Sequence, residues 1–212
     1  MQRTLSFTRY LPCMGWLPVV LTASSFAYPD IGYDQLADIP EQVPVHRAFS
    51  LDAARHLSIK GRYLDWMALP DSWSSWALSA LPLGMRLIWK YQPSAIWSTY
   101  PIATAHMIAY GLHRLSGIPW VADFRDPMTE EDSKTNQRWP SNPRVWRARQ
   151  FVEKLAVRHA ARLVFATDGA RRLYADRYPH LAESRWTTIS NGYDEGPFAA
   201  AEKLVNERAS KD

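Results

Sequence analysis

The residues best suited to chemistry are Asp123, Arg125 and Asp126, which close the segment from Trp120 to Met128, Trp-Val-Ala-Asp-Phe-Arg-Asp-Pro-Met. A short apolar run that ends in two carboxylates around a guanidinium reads as a buried strand delivering charge to its carboxyl end. In open α/β sheets ligands bind in the crevice beyond those ends. A guanidinium stays protonated near neutral pH, so any proton acceptor here is Asp126 or Asp123, and Arg125 is left to bind a phosphate or to hold the carboxylates in place. The competing use of the same residues is an ion pair that stitches a loop. A second polar cluster follows the apolar run Leu163 to Ala166: Thr167, Asp168 and Gly169 open a helical stretch. Thr167 or Asp168 is expected to cap that helix, whose free N–H groups could otherwise receive an anion, and Arg171 in the first turn could pair with a phosphate. Asn191-Gly192 favours a turn with positive φ.

These residues need a scaffold, and the pattern around them supplies one. Strands are predicted near Trp16 to Thr22, Val43 to Arg47, Ala95 to Ser98, Trp120 to Asp123, Leu163 to Thr167 and Trp186 to Ser190. Helical apolar spacing separates them at Ser74 to Tyr91 (interrupted by Pro82), Ile102 to Leu115, Arg144 to Ala161 and Ala170 to Tyr178. The fold class is therefore α/β, one mostly parallel, Rossmann-like sheet flanked by helices. Pro44 places its strand toward a sheet edge. The stretch from Ala23 to Gln42 is turn-rich and reads as a surface loop, and Leu51 to Trp76 reads as an irregular excursion.

The first residues require a choice. Arg3 and Arg9 precede an apolar run and a small-residue patch at Ala23 to Ala27, which imitates a secretory signal. Pro12, Gly15 and Pro18 break that run, however, and Leu5, Phe7, Tyr10 and Leu11 mark an amphipathic helix ending at Gly15, so helix then strand is expected. No run approaches the ~18 apolar residues of a spanning helix.

Composition narrows the function classes. The 25 Lys and Arg against 21 Asp and Glu leave a net charge of +4, which fits phosphate-bearing ligands or an anionic membrane face better than a nucleic-acid module. The single cysteine, Cys13, excludes an internal disulfide framework and fits a reducing compartment, and the six histidines lack zinc-ligand spacing, so no metal site is expected. Among the ten tryptophans, Trp66, Trp73 and Trp76 could be core, a sugar-stacking platform or an interfacial belt, the last in company with Lys60 and Arg62. His106 reads as a core or surface residue.

The segments Gly117 to Pro127 (GIPWVADFRDP), Val164 to Gly169 (VFATDG) and Thr187 to Glu195 (TTISNGYDE), in this order and spacing, resemble the N-terminal domain of family 4-like glycosyltransferases of the GT-B fold. The resemblance runs from about Arg3 to Asp194, implying a domain over residues 1–194 and a polar tail over 195–212 at the position of the interdomain linker. It places Arg125 where many relatives carry a histidine and Asp126 where they carry the following aspartate; Trp97 and Thr99 stand where relatives carry two histidines. Thr99, Arg125, Thr167, Asp168, Gly169, Arg171, Asn191 and Gly192 become substrate-binding candidates, and Asp126 and Asp123 catalytic ones. Relatives begin with a strand and a glycine-rich loop ahead of the helix that here starts at Arg3, and end with a second, donor-binding domain; the sequence as given contains neither, so it reads as truncated at both ends.

The resemblance thus implies the acceptor-side half of an enzyme that moves sugar from a nucleotide-sugar donor to a glycan or lipid-linked acceptor in carbohydrate biosynthesis. No cofactor is expected on this chain. Expected partners are the acceptor, a donor-binding domain or separate subunit and, peripherally, the inner membrane face, with a cytoplasmic location. The alternative is a non-catalytic Rossmann-like module that holds an anionic or carbohydrate ligand or a partner protein.

Overall fold

In the computed structural model, which describes residues 2–29, 39–60, 62–132 and 135–192, all six expected strands form, and each pairs in parallel with its neighbour. Strand β1 (Val20–Ala23) pairs with β2 (Val45–Ala48), and β3 (Ile96–Thr99), β4 (Trp120–Arg125), β7 (Arg162–Phe165) and β8 (Trp186–Thr188) lie in that order in a four-stranded sheet. The expectation of one continuous ladder needs correction, because no strand hydrogen bonds join the β1–β2 pair to β3 among the described residues. A shared helical layer joins them instead. Helix α3 (Trp76–Tyr91) packs on β1, β2 and α4 (Ala103–Ser116), and α4 packs in turn on β3, β4 and α5 (Pro143–His159). Ala23, Ala48, Trp76, Ala80, Ile108 and Leu112 form one core cluster across that junction. Two glycines permit the close approach of α3 and α4: a Cβ on Gly84 would fall 2.8 Å from the Leu112 methyls, and one on Gly111 would fall 2.6 Å from Leu81 Cδ2.

The second core lies beneath the four-stranded sheet and explains why the strand sequences look as they do. Trp120, Ala122 and Phe124 alternate along β4 toward Leu163, Phe165 and Trp186 and toward Val152, Ala156 and Tyr174 of α5 and α6 (Asp168–Arg177). His106 of α4 is buried in the same layer, where it packs edge-on to Trp120 and Phe124. Trp120 Nε1 donates to Ser98 Oγ at 2.8 Å, Ser98 Oγ and His106 Nδ1 share a hydrogen bond at 2.7 Å, and His106 Nε2 has no hydrogen-bond partner. Burial lowers the His106 pKa from 6.5 to about 3 and keeps the ring neutral.

The N-terminal segment is helix then strand, as expected. Helix α1 (Gln2–Tyr10) continues as a 3₁₀ turn over Leu11–Met14 and stops at Gly15, whose φ of 80° supplies the left-handed cap. The following strand starts at Val20 rather than near Trp16, after Pro18, which has no N–H to give a ladder. The irregular excursion after β2 holds a short helix, α2 (Ala53–His56), and an unforeseen antiparallel pair, β5 (Glu130–Glu131) and β6 (Arg138–Trp139), follows β4. Residues 30–38 of the expected surface loop, and the tail over 195–212 with Tyr193 and Asp194, lie outside the described residues. No helix among the described residues is long and apolar enough to cross a membrane.

Candidate active site

The carboxyl ends of β3, β4 and β8 converge on a buried ion pair. Asp123 is 0 % exposed, and Arg3, in the first turn of α1, grips both of its oxygens, with Nε to Oδ2 at 2.8 Å and Nη2 to Oδ1 at 3.3 Å. Thr99 Oγ1 donates to Oδ2 at 3.0 Å, and Arg3 Nη1 reaches Asn191 Oδ1 at 3.1 Å and the Ser190 carbonyl at 3.5 Å. One guanidinium therefore ties the ends of β4 and β8 to α1. Burial pushes the Asp123 carboxyl up, while the Arg3 and Thr99 hydrogen bonds and the nearby Arg125 pull it back. Phe7 holds α1 against β3 through an edge contact with Trp97 at 5.0 Å.

The chain then makes a sharp turn. The pairing of β4 with β7 shifts register between Asp123 and Arg125, and Arg125 adopts φ = +57°, a left-handed conformation that costs a side-chain-bearing residue energy. The Asp126 N–H bonds back to the Phe124 carbonyl at 2.6 Å, closing a three-residue γ-turn of the strained, positive-φ kind. The result is that Asp126 is exposed directly beyond the strand end, whereas Asp123, two pleats back, is sealed. Arg125 lies between them, half-buried, and its Nε has no partner. Strain of this kind persists only where surrounding structure enforces it, and it gathers at functional sites.

That enforcement comes from a second buried carboxylate. Glu153 of α5, 1 % exposed, accepts from Arg177 Nη1 (2.7 Å), Tyr178 OH (2.7 Å), Tyr174 OH (2.8 Å) and Thr129 Oγ1 (3.4 Å). Tyr174 OH in turn accepts the Met128 N–H at 3.0 Å, and Arg177 Nη2 donates to the Thr129 carbonyl at 3.1 Å. The segment leaving β4 is thus clamped to α5 and α6 immediately after Asp126. Burial first, and then the Glu153 charge, raise the pKa of both tyrosines, which remain neutral donors.

The remaining candidates separate. Thr167 caps α6, its Oγ1 accepting the Ala170 N–H at 3.1 Å, and Gly169 lies in the first turn. Asp168 is drawn to β8 by a 2.6 Å bond from Thr188 Oγ1 and approaches Arg171 at 3.6 Å; the Thr188 bond, aided by Arg171 and Arg172, holds its carboxyl below the usual range. Asn191-Gly192 is not among the left-handed positions: the Asn191 side chain accepts from Arg3 instead. The expectation that the side chains of Asp123, Arg125 and Asp126 are accessible at the strand end holds for Asp126, holds partly for Arg125 and fails for Asp123, whose oxygens accept from Arg3 and Thr99 in the interior. Sequence reasoning missed Arg3 and Glu153. Arg3 had one available signal, as one of two charges in the first 29 residues, both of them basic. Among the described residues no group of three or more His, Cys, Asp or Glu is placed to hold a metal.

Parallel strands flanked by helices make this a Rossmann-like domain of the α/β class, with a strained, charged turn at the carboxyl end of β4. The chain belongs to the glycosyl transferase 4-like family: the description Glycosyl transferase 4-like domain matches residues 2–192. No curated protein matches the chain significantly. Among solved structures, Alr3699/HepE of Anabaena, crystallised in complex with UDP, is similar at 12 % identity and a TM-score of 0.45, over 84 % of this chain. The alignment spans 45 % of the length of that protein.

Proposed function

We propose that this domain forms the acceptor-side wall of a nucleotide-sugar-dependent glycosyltransferase, with Asp126 as the group that meets the acceptor. Family membership supports sugar transfer in general, and the observation that carries the residue-level reading is the strained turn at Arg125, which projects Asp126 beyond a sealed Arg3–Asp123 pair. In this reading the Asp126 carboxylate accepts the proton of the acceptor hydroxyl as its oxygen bonds to the anomeric carbon and the nucleoside diphosphate departs. Arg125 is the cation for a phosphate, and Thr99 and Asn191 act through Arg3 and Asp123 as positioning residues. In the same reading Thr167, Asp168, Gly169, Arg171 and Gly192, which follow β7 and β8 in the chain, contribute to substrate binding at that edge.

A cleft that orients two substrates needs two walls. The edge described here is one open wall, so a donor-binding half, on the same polypeptide or a separate one, completes the proposed enzyme. Transfer of radiolabel from a panel of nucleotide sugars to lipid and glycan extracts tests this. Transfer is expected when the domain is joined to a donor-binding half. Transfer by the purified domain alone, scaling with its concentration, would contradict the one-wall reading. The alternative, a non-catalytic module for an anionic ligand, is favoured by the unpartnered Arg125 Nε, and it predicts ligand binding that survives Asp126→Asn with no turnover in any combination.

A further inference from the structure

A separate surface stands beside the crevice, at the carboxyl ends of β1 and β2. The loops that leave these strands expose Phe26 (56 %), Phe49 (60 %), Ile59 (79 %), Leu64 (57 %) and Trp66 (65 %), and the first turns of α3 add Leu78 (82 %). Several of these residues are linked. Phe26 stacks on Phe49 at 6.3 Å and on His56 of α2 at 4.5 Å, the Ser79 hydroxyl next to Leu78 bonds the Phe49 carbonyl, and α2 packs on the 3₁₀ turn Asp65–Ala68 that carries Trp66. Soluble monomers rarely leave so many large apolar side chains together in water.

Among the described residues, the bases around the patch outnumber the acids and are unpaired. Arg47, Arg55, Lys60 and Arg62 are exposed, and none of them pairs with a carboxylate among the described residues. The two acids within residues 47–66 are already engaged: Asp52 is buried as the cap of α2, and Asp65 pairs with Arg144 beside a groove of about 460 Å³ that Tyr63, Leu64 and Trp66 line. Lys60 sits at the tip of a tight turn closed by an Ile59–Arg62 bridge, with φ = +51°, so the turn presents an apolar residue and two cations together. A docking protein of ordinary surface would favour acids opposite these bases. A bilayer offers phosphates at the depth of the bases and hydrocarbon just below, and it suits indole and phenol rings whose bodies are apolar and whose edges are polar.

We propose that this face docks on an anionic lipid bilayer, with Trp66, Leu64 and Ile59 entering the interface and Lys60, Arg62, Arg55 and Arg47 at the headgroups. The orientation brings the neighbouring strand ends close to the membrane plane. Lipid docking goes beyond sugar transfer, and its test needs none. The full chain is sedimented with vesicles of phosphatidylcholine alone and of phosphatidylcholine mixed with phosphatidylglycerol, at low and high salt. Binding is expected on the anionic vesicles and is expected to fall steeply with salt. Lys60→Glu with Arg62→Glu should weaken it by at least about tenfold, given roughly fivefold per base at an anionic surface. Leu64→Ser with Trp66→Ser should weaken it comparably. Trp89→Ser, at an equally exposed residue about 16 Å further along α3, should leave it unchanged. All variants are at exposed positions and should keep the wild-type melting temperature. Absence of binding to anionic vesicles, binding indifferent to lipid charge, or binding that survives both double variants would overturn the proposal. If the double variants instead weaken association with a donor-binding domain while vesicles are ignored, the face is a protein interface and the membrane proposal falls.

Discussion

Two buried carboxylates bracket the segment that leaves β4, and they are satisfied in different ways. Glu153 accepts from four side chains on α5's neighbours and the following loop, so every lone pair is used and the group is enclosed. Asp123 accepts from Arg3 and Thr99, and its partner Arg3 reaches across to Asn191 at the rim of the crevice. The first arrangement is a clamp built from elements close together in the fold. The second gathers residues 120 and 188 positions apart in sequence at the place where ligands enter an α/β sheet. Between them lies the strained turn at Arg125. The difference teaches that burial and an arginine partner alone do not distinguish a structural carboxylate from one that shapes a site; what the pair holds in place does.

The comparison breaks most visibly at the clamp. Glu153→Ala leaves Arg177 and the hydroxyls of buried Tyr174 and half-buried Tyr178 without their acceptor, and a loss of about 3–5 kcal/mol is expected in denaturant unfolding. Glu153→Gln keeps the shape and should cost less. A loss within experimental error for Glu153→Ala would mean that the loop is held by something else. At the crevice, Arg3→Met strands a buried charge on Asp123 and should cost about 3 kcal/mol, most of it recovered in the double variant Arg3→Met/Asp123→Asn. Purely additive losses would show that the two residues do not act as a pair.

The strands and the charged end of β4 were legible because burial writes apolar runs and alternation directly into sequence, and Thr167 was legible as a cap because capping is local. The Arg3–Asp123 pair was not, since a contact 120 residues apart leaves no local pattern and Arg3 in isolation is an ordinary helical residue. Asp123 and Asp126 looked equivalent on the page of the sequence. Their opposite fates follow from the register shift and the positive φ at Arg125, neither of which a periodicity argument contains. Trp66 and Trp76 likewise share a residue type and a neighbourhood, yet one is 65 % exposed and the other 7 %.

The neutral His106 gives a pH-dependent check on the core that carries both carboxylates. Its folded pKa of about 3 lies below the ordinary 6.5, so below pH 6.5 the unfolded chain binds a proton that the folded chain refuses. Stability from this residue is complete above pH 6.5 and is lost as pH falls toward 3, by roughly 1.4 kcal/mol per pH unit. His106→Leu should flatten that part of the stability profile. A wild-type profile with the same slope as the variant would show that the imidazole is protonated in the fold or open to water.

A smaller effect is expected at the turn. Arg125→Gly removes a side chain from a left-handed position and should raise stability by about 1 kcal/mol, offset in part by lost contacts of the Arg125 stem. The same change should weaken anion binding, measured with the nucleoside diphosphate in the domain joined to its donor-binding half. Increased stability together with unchanged binding would remove Arg125 from the site.

The most direct test of the whole reading compares Asp126→Asn with Asp123→Asn in that joined protein, following turnover and unfolding for each. Asp126→Asn should keep stability within about 0.5 kcal/mol, as expected for an exposed side chain, and lower kcat by about a hundredfold or more. Asp123→Asn should lower stability first, with turnover per folded molecule falling less. Full turnover in Asp126→Asn, or equal losses of stability and activity in both variants, would contradict the assignment of Asp126 as the chemical group and Asp123 as the residue that positions its surroundings.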